Sequence, residues 1–177
     1  MSTPAAAAYG CSGLDDATLS TLLTKAVTRR TAPVRLVGSG LHDLAARLIA
    51  DGVPVEVRVP HRRDARALRR AAHRAGGDVP TPSVGGIDVD LPFPDGTLHA
   101  LVCRLDPRSF PFPRHTVREL GRALAPDGLV VVLPGERTSW PASLVDAWAA
   151  AAGLAPPDER ETGGALPFTG AVYRVRG

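Results

Sequence analysis

Gly38-Ser39-Gly40 is the place where the backbone of this chain could do chemistry. The triplet follows an apolar run, Pro33–Val37, and precedes Leu41–Asp51, where Leu44, Leu48 and Ile49 fall at helical spacing. A strand, a Gly-x-Gly turn and a helix let a ligand approach the backbone closely, and the free N–H groups at the helix start attract negative charge. A nucleotide at such a turn also wants a carboxylate near the end of the next strand, because ribose hydroxyls are donors. That strand, Gly52–Val59, alternates Val55, Val57 and Val59, but ends in Arg58 and Pro60, whose side chains cannot accept. Asp88 and Asp90 stand at the end of a third short run, Ser83–Val89.

The other reactive residue types give weaker patterns. The five histidines, His42, His61, His73, His99 and His115, lack metal-ligand spacing with one another or with Cys11 and Cys103, so no metal site is predicted. His61–Arg74 reads as a helix with a buried stripe of Ala65, Leu68, Ala72 and Ala75, and Arg62, Arg66, Arg69, Arg70 and Arg74 on its outer face. No aromatic residue interleaves those arginines, which argues for a solvated face over a nucleic-acid surface. Arg108, after the strand Leu98–Leu105, is placed to hold an anionic substrate.

Composition bounds the answer. With 177 residues, residues 1–13 read as a tail of small and polar residues ahead of a single domain over 14–177. An apolar content of 44% with 22% charged residues suits a globular protein. No apolar run approaches the ~20 residues of a membrane span, and residues 1–13 lack a signal-peptide pattern. Two cysteines make no disulfide framework, so a cytoplasmic setting is expected. The net charge is +3, and Lys25 is the single lysine, so the basic residues are arginines.

Helices and strands alternate through the rest of the chain. Asp15-Asp16 cap a helix reaching about Arg29, with Leu19, Leu22, Leu23 and Val27 on one face. Leu98–Leu105 is apolar enough to be buried on both faces. Pro113 then opens a helix striped by Val117, Leu120 and Leu124, Pro126-Asp127-Gly128 stops it, and Leu129–Pro134 is a further buried strand. Two such strands joined by a helix imply a right-handed parallel crossover. Ser139–Ala152 reads as a helix, and Leu154–Thr162 and Ala171–Arg176 as the last two strands.

Leu91-Pro-Phe-Pro-Asp-Gly-Thr-Leu-His99, Ala100–Cys103, Val117-Arg-Glu-Leu-Gly-Arg-Ala-Leu-Ala-Pro-Asp-Gly128 and Leu129–Val132 together resemble the second half of the class I S-adenosylmethionine (SAM)-dependent methyltransferases that act on small molecules. The resemblance covers about residues 30–177. It implies an α/β fold: a Rossmann-like three-layer α/β/α sandwich, its seven-stranded, mostly parallel sheet closed by an antiparallel C-terminal hairpin. It also implies SAM as cofactor, held by Gly38, Ser39, Gly40, Asp88, Val89 and Cys103. Several positions depart from the family's pattern. Leu36 stands where an acidic residue helps hold the amino-acid end of SAM, and His42 replaces a third glycine. Val59 and Pro60 leave the second strand without its acid, His99 replaces an aspartate, and Asp88 is displaced by one position. Arg108-Ser109 replaces a histidine pair, removing a candidate general base.

These observations favour a methyltransferase-like protein with an eroded SAM site, acting on a small molecule. Three alternatives stay open. One is a catalytically silent relative that serves a protein partner as a binding or scaffolding subunit. Another is a cofactor-independent enzyme on a natural product that reuses the cleft. The last is an NAD(P)-binding Rossmann protein, with Arg58 or Arg62 facing a 2′-phosphate and Asp43 in place of the third glycine of G-x-G-x-x-G.

Overall fold

The apolar runs decide the sheet. β1 (Val34–Val37) and β4 (Leu98–Leu105) are buried along nearly their whole length, as strands covered on both faces must be. The computed structural model describes residues 16–27, 32–77, 81–85, 90–135, 140–155 and 170–175. Around β1 and β4 lie β2 (Val55–Val59), β3 (Ser83–Val84), β5 (Leu124–Pro134), β6 (Leu154–Ala155) and β7 (Ala171–Val175). They form one seven-stranded sheet in the order β3-β2-β1-β4-β5-β7-β6. β1 to β5 pair in parallel, and β7 runs antiparallel to β5 and to β6.

Alternation along the strands gives the sheet two apolar faces. On one, Val34, Leu36, Val55, Val57, Ala100, Val102, Leu129 and Val131 pack under three helices. These are α1 (Asp16–Val27), α2 (His42–Ala50) and α3 (Arg62–Arg74). On the other, Val37, Leu101, Cys103, Leu105, Val130 and Val132 pack under α4 (Pro113–Ala123) and α5 (Ala142–Ala151). Tyr173 is fully buried there, and its hydroxyl donates to Asp146 Oδ1 on α5 at 2.7 Å, so the reversed strand is tied to the helix layer. The three-layer sandwich with its antiparallel closing strand is the architecture the resemblance implied. A doubly wound dinucleotide fold has the order 3-2-1-4-5-6, so the reversed β7 between β5 and β6 sets this sheet apart from it.

Several boundaries move. α5 starts at Ala142, because Pro141 carries extended backbone (ψ 138°) and pushes the residue before it out of helical geometry. Leu124, read as the end of the α4 stripe, is already paired with Leu98, and Pro126-Asp127-Gly128 forms an irregularity inside β5. Asp127 takes a left-handed φ of 64° there. On α3 the five outer arginines are exposed, as the periodicity predicts, but Ala71 completes the buried stripe while Ala75, the helix C-cap, is exposed. β3 ends at Val84, and residues 86–89, including Asp88 and Val89, lie outside the described residues. So does the run from 156 to 162 predicted to extend β6.

Candidate functional site

Strand order reverses between β1 and β4. The chain leaving β1 enters α2 on one face of the sheet, while the chain leaving β4 turns toward α4 on the other, which opens a crevice at the carboxyl edge. That crevice is a cleft of about 310 Å³, at the small end of ligand sites. Ser39, Gly40 and His42 form its floor beside α2; Arg63, Asp64 and Ala67 of α3 form one wall; Arg104, Asp106, Arg108 and Gly135 form the other.

The glycine turn is shaped by its neighbour in the sheet. The parallel register sets Val37 beside Cys103, so Gly38 lies against Arg104. A Cβ on Gly38 would stand 2.8 Å from the Arg104 carbonyl oxygen, and one on Gly40 would stand 2.7 Å from Arg104 Nη1. Both glycines also have positive φ, 117° and 71°. The guanidinium of Arg104 therefore lies over the turn, in the space that the resemblance assigns to cofactor. Its Nε is buried and has no hydrogen-bond partner among the described residues.

The lining carboxylates are engaged locally. Ser39 Oγ donates to Asp64 Oδ2 at 3.1 Å. Asp106 Oδ1 accepts from the backbone N–H of Arg108 at 3.1 Å, and the Asp106 carbonyl accepts from the N–H groups of Ser109 and Phe110, which folds the loop after β4. Arg63, Arg104 and Arg108 make no ion pair among the described residues. At the start of α2, Leu41 provides no side-chain cap, leaving first-turn N–H groups without a side-chain acceptor.

The predicted cofactor residues separate under this geometry. Ser39 and Gly40 line the cleft, and Gly38 is buried beneath Arg104. Cys103 is wholly buried in the core under α4 and α5, where burial pushes its thiol far above the ordinary range. Its side chain is thus withdrawn from the predicted set, because the register that places Arg104 at the edge turns Cys103 inward. Asp88 and Val89 lie outside the described residues. Leu36 is fully buried in the sheet core, so no carboxylate replaces it from that position. Arg108 lines the cleft, and His99 lies at the opposite, amino edge of β4, near Lys25 and Asp127. Sequence reasoning missed Arg63, Asp64, Arg104 and Asp106. Asp64 sits within a run of arginines, and Arg104 looks like any other arginine until the β1–β4 register is known.

Among the described residues, one mixed group of possible metal ligands does assemble. Asp90, His115 and Glu119 bring ligand atoms within 4.8 Å of one another, a grouping hidden when histidines are matched only with histidines and cysteines. Glu119 is buried and accepts from Arg122 through both oxygens, at 2.7 to 3.1 Å. Arg122 also binds Asp95 and donates to the carbonyls of Phe93 and Leu91, at 2.9 and 3.1 Å. The group is therefore the edge of an ion-pair network that fastens the Leu91–Gly96 turn to α4.

No protein-family model matches this sequence, and no curated protein sequence does. Solved structures match the fold. The chain aligns over 82% of its length with a putative methyltransferase from Bacillus halodurans C-125, covering 71% of that protein at 15% identity and a TM-score of 0.59. It aligns over 91% with magnesium protoporphyrin IX methyltransferase of Synechocystis PCC 6803 with bound SAM, covering 79% of it at 10% identity and a TM-score of 0.56. The fold is that of the class I methyltransferases. A third structure with this methyltransferase fold is the cyclase SpnF, at 20% identity and a TM-score of 0.55 over 88% of the chain. The chain spans 66% of the cyclase's length. Among the described residues, no helix is long and apolar enough to cross a membrane.

The residues present fit SAM poorly. Its sulfonium is a cation, and each guanidinium brought within ~6 Å of it would cost about 3 kcal/mol at an effective dielectric near 20. Asp64 and Asp106 offset part of this, but among the described residues the lining carries three arginines against two carboxylates. Arg104 also lies close over Gly40, and Leu36, where the resemblance places an acid for the amino-acid end of SAM, is buried.

Proposed function

We propose that this is a methyltransferase-like protein whose SAM site has eroded and whose remaining cleft takes a small molecule without SAM. The observation that carries this reading is Arg104, whose guanidinium lies over Gly40 where a nucleoside cofactor would meet the turn. Loss of the acids at Leu36 and at Val59-Pro60 supports it, since each would have accepted hydrogen bonds from the cofactor. The fold itself does not require methyl transfer: one structure with the fold is a methyltransferase with bound SAM, and another is a cyclase. That second example favours, as the next reading, an enzyme that uses this cleft for a reaction other than methyl transfer.

Thermal denaturation with SAM tests the proposal. A ligand present at ~1,000 times its Kd adds about 4 kcal/mol, or about 10 °C in Tm for a chain of this size. The expected result with millimolar SAM is an unchanged Tm; a rise of several degrees would overturn the reading.

A further inference from the structure

The cleft has a charge pattern of its own. Arg63 comes from the first turn of α3, Arg104 from the end of β4 and Arg108 from the loop beyond it, and all three line one cavity. The two carboxylates beside them each accept one hydrogen bond from a neutral donor, Asp64 from the Ser39 hydroxyl and Asp106 from the backbone of its own loop. Among the described residues the lining thus keeps an excess of one positive charge, and Asp64 keeps acceptor sites to spare. A buried donor left without an acceptor is costly, and Arg104 Nε has no acceptor among the described residues, while Nη1 of the same guanidinium lies over Gly40. An acceptor-rich anion supplies what is missing. A carboxylate has two oxygens to share among three guanidinium forks. A phosphoryl group has three, carries close to two negative charges and matches the fork geometry.

We propose that the cleft binds a phosphorylated small molecule, with its phosphoryl group on Arg63, Arg104 and Arg108 and a neighbouring hydroxyl donating to Asp64. The inference rests on the eroded-cofactor reading and names the ligand class of the same cleft. Asp64 is well placed for the second role. It stands at the head of α3, four residues beyond Pro60, and its partner Ser39 belongs to the glycine turn. The first-turn N–H groups of α2 add donors on the same floor. A volume of about 310 Å³ suits a phosphorylated sugar better than a dinucleotide.

Inorganic pyrophosphate, ribose 5-phosphate, ribose and malonate are titrated separately into the full chain at matched ionic strength, with Tm and calorimetric Kd as readouts. Pyrophosphate and ribose 5-phosphate are expected to bind, raising Tm by about 5–10 °C at ~100 times Kd, and ribose is not. Arg104→Met, Arg63→Gln and Arg108→Gln should each weaken ribose 5-phosphate at least about tenfold. Asp64→Asn, which removes a negative charge from the cleft and the charged acceptor of the hydroxyl, should tighten pyrophosphate and tighten ribose 5-phosphate less; an equal gain for both would overturn the hydroxyl contact. Arg66→Gln with Arg70→Gln, on the outer face of α3, should change neither. Arg63 and Arg108 are exposed, so their variants carry the test even if Arg104→Met does not fold. Malonate binding as tightly as ribose 5-phosphate would overturn the phosphoryl assignment. Binding that persists in the cleft variants and disappears in the outer-face variant would overturn the site. No binding of either phosphate, with SAM also unbound, would overturn this inference and leave the eroded-cofactor reading standing; SAM binding would overturn that reading whatever the phosphates do.

Discussion

Arg122 shows how much of this chain hangs on single arginines. Its guanidinium joins buried Glu119, Asp95 and two carbonyls of the Leu91–Gly96 segment, and the hydrogen bonds to Glu119 and then Asp95 raise its own pKa further. Arg122→Met would remove the three guanidinium hydrogen bonds to buried Glu119, at a cost of about 1–3 kcal/mol. A urea titration should show that loss in its midpoint; a change below ~1 kcal/mol would mean the pair is solvated. Cys103 makes the opposite kind of prediction. A thiol whose pKa burial has pushed far up is a poor nucleophile, so iodoacetamide at pH 8 should leave Cys103 unlabelled in the native chain and label it in denaturant. Mass spectrometry of the Cys103 peptide reads this directly, and native labelling at the denatured rate would contradict it.

At the level of elements, packing reverses an ordinary preference at Gly121. Replacing a helical glycine by alanine normally gains about 0.5–1 kcal/mol. On α4, a Cβ at Gly121 would stand 2.5 Å from the carbonyl oxygen of Ala152, at the end of α5. Gly121→Ala should therefore lower stability by about 1–2 kcal/mol, because overpacking outweighs propensity. Gly38→Ala should cost about 2–3 kcal/mol, from its φ of 117° and its approach to the Arg104 carbonyl. Chemical denaturation of both variants checks the order, and stabilisation of either would show that the neighbouring backbone yields. Helix and strand placement was readable where apolar spacing is strong, as in Leu98–Leu105 and on α3. It failed at Leu124 and at the start of α5. There the outcome depended on pairing with Leu98 and on the backbone of Pro141, neither of which leaves an apolar periodicity.

For the whole molecule, the crossover from Leu98–Leu105 through α4 to β5 was legible in apolar spacing, and the rest of the topology through the family resemblance. The Leu91–Gly96 turn and the α4 segment around Glu119 and Arg122 read as separate pieces, yet one ion-pair network holds them together. The cleft was only half visible. Gly38, Ser39 and Gly40 mark a turn, but glycine spacing cannot say whether a cofactor or a side chain fills the space above it. That answer lies in the β1–β4 register, which brings Arg104 over the turn and sends Cys103 into the core. Arg63 and Asp64 gave no signal, since the turn of α3 that aims them at the cleft also carries Arg62 away from it.

Arg104 and its neighbours are proposed to have replaced the grip on SAM. Isothermal titration of the purified chain with S-adenosylhomocysteine, which lacks the sulfonium charge but keeps the nucleoside and amino-acid ends, tests this most directly. No saturable heat is expected up to about 1 mM, equivalent to binding weaker than about 4 kcal/mol. A stoichiometric isotherm with a micromolar Kd would contradict it.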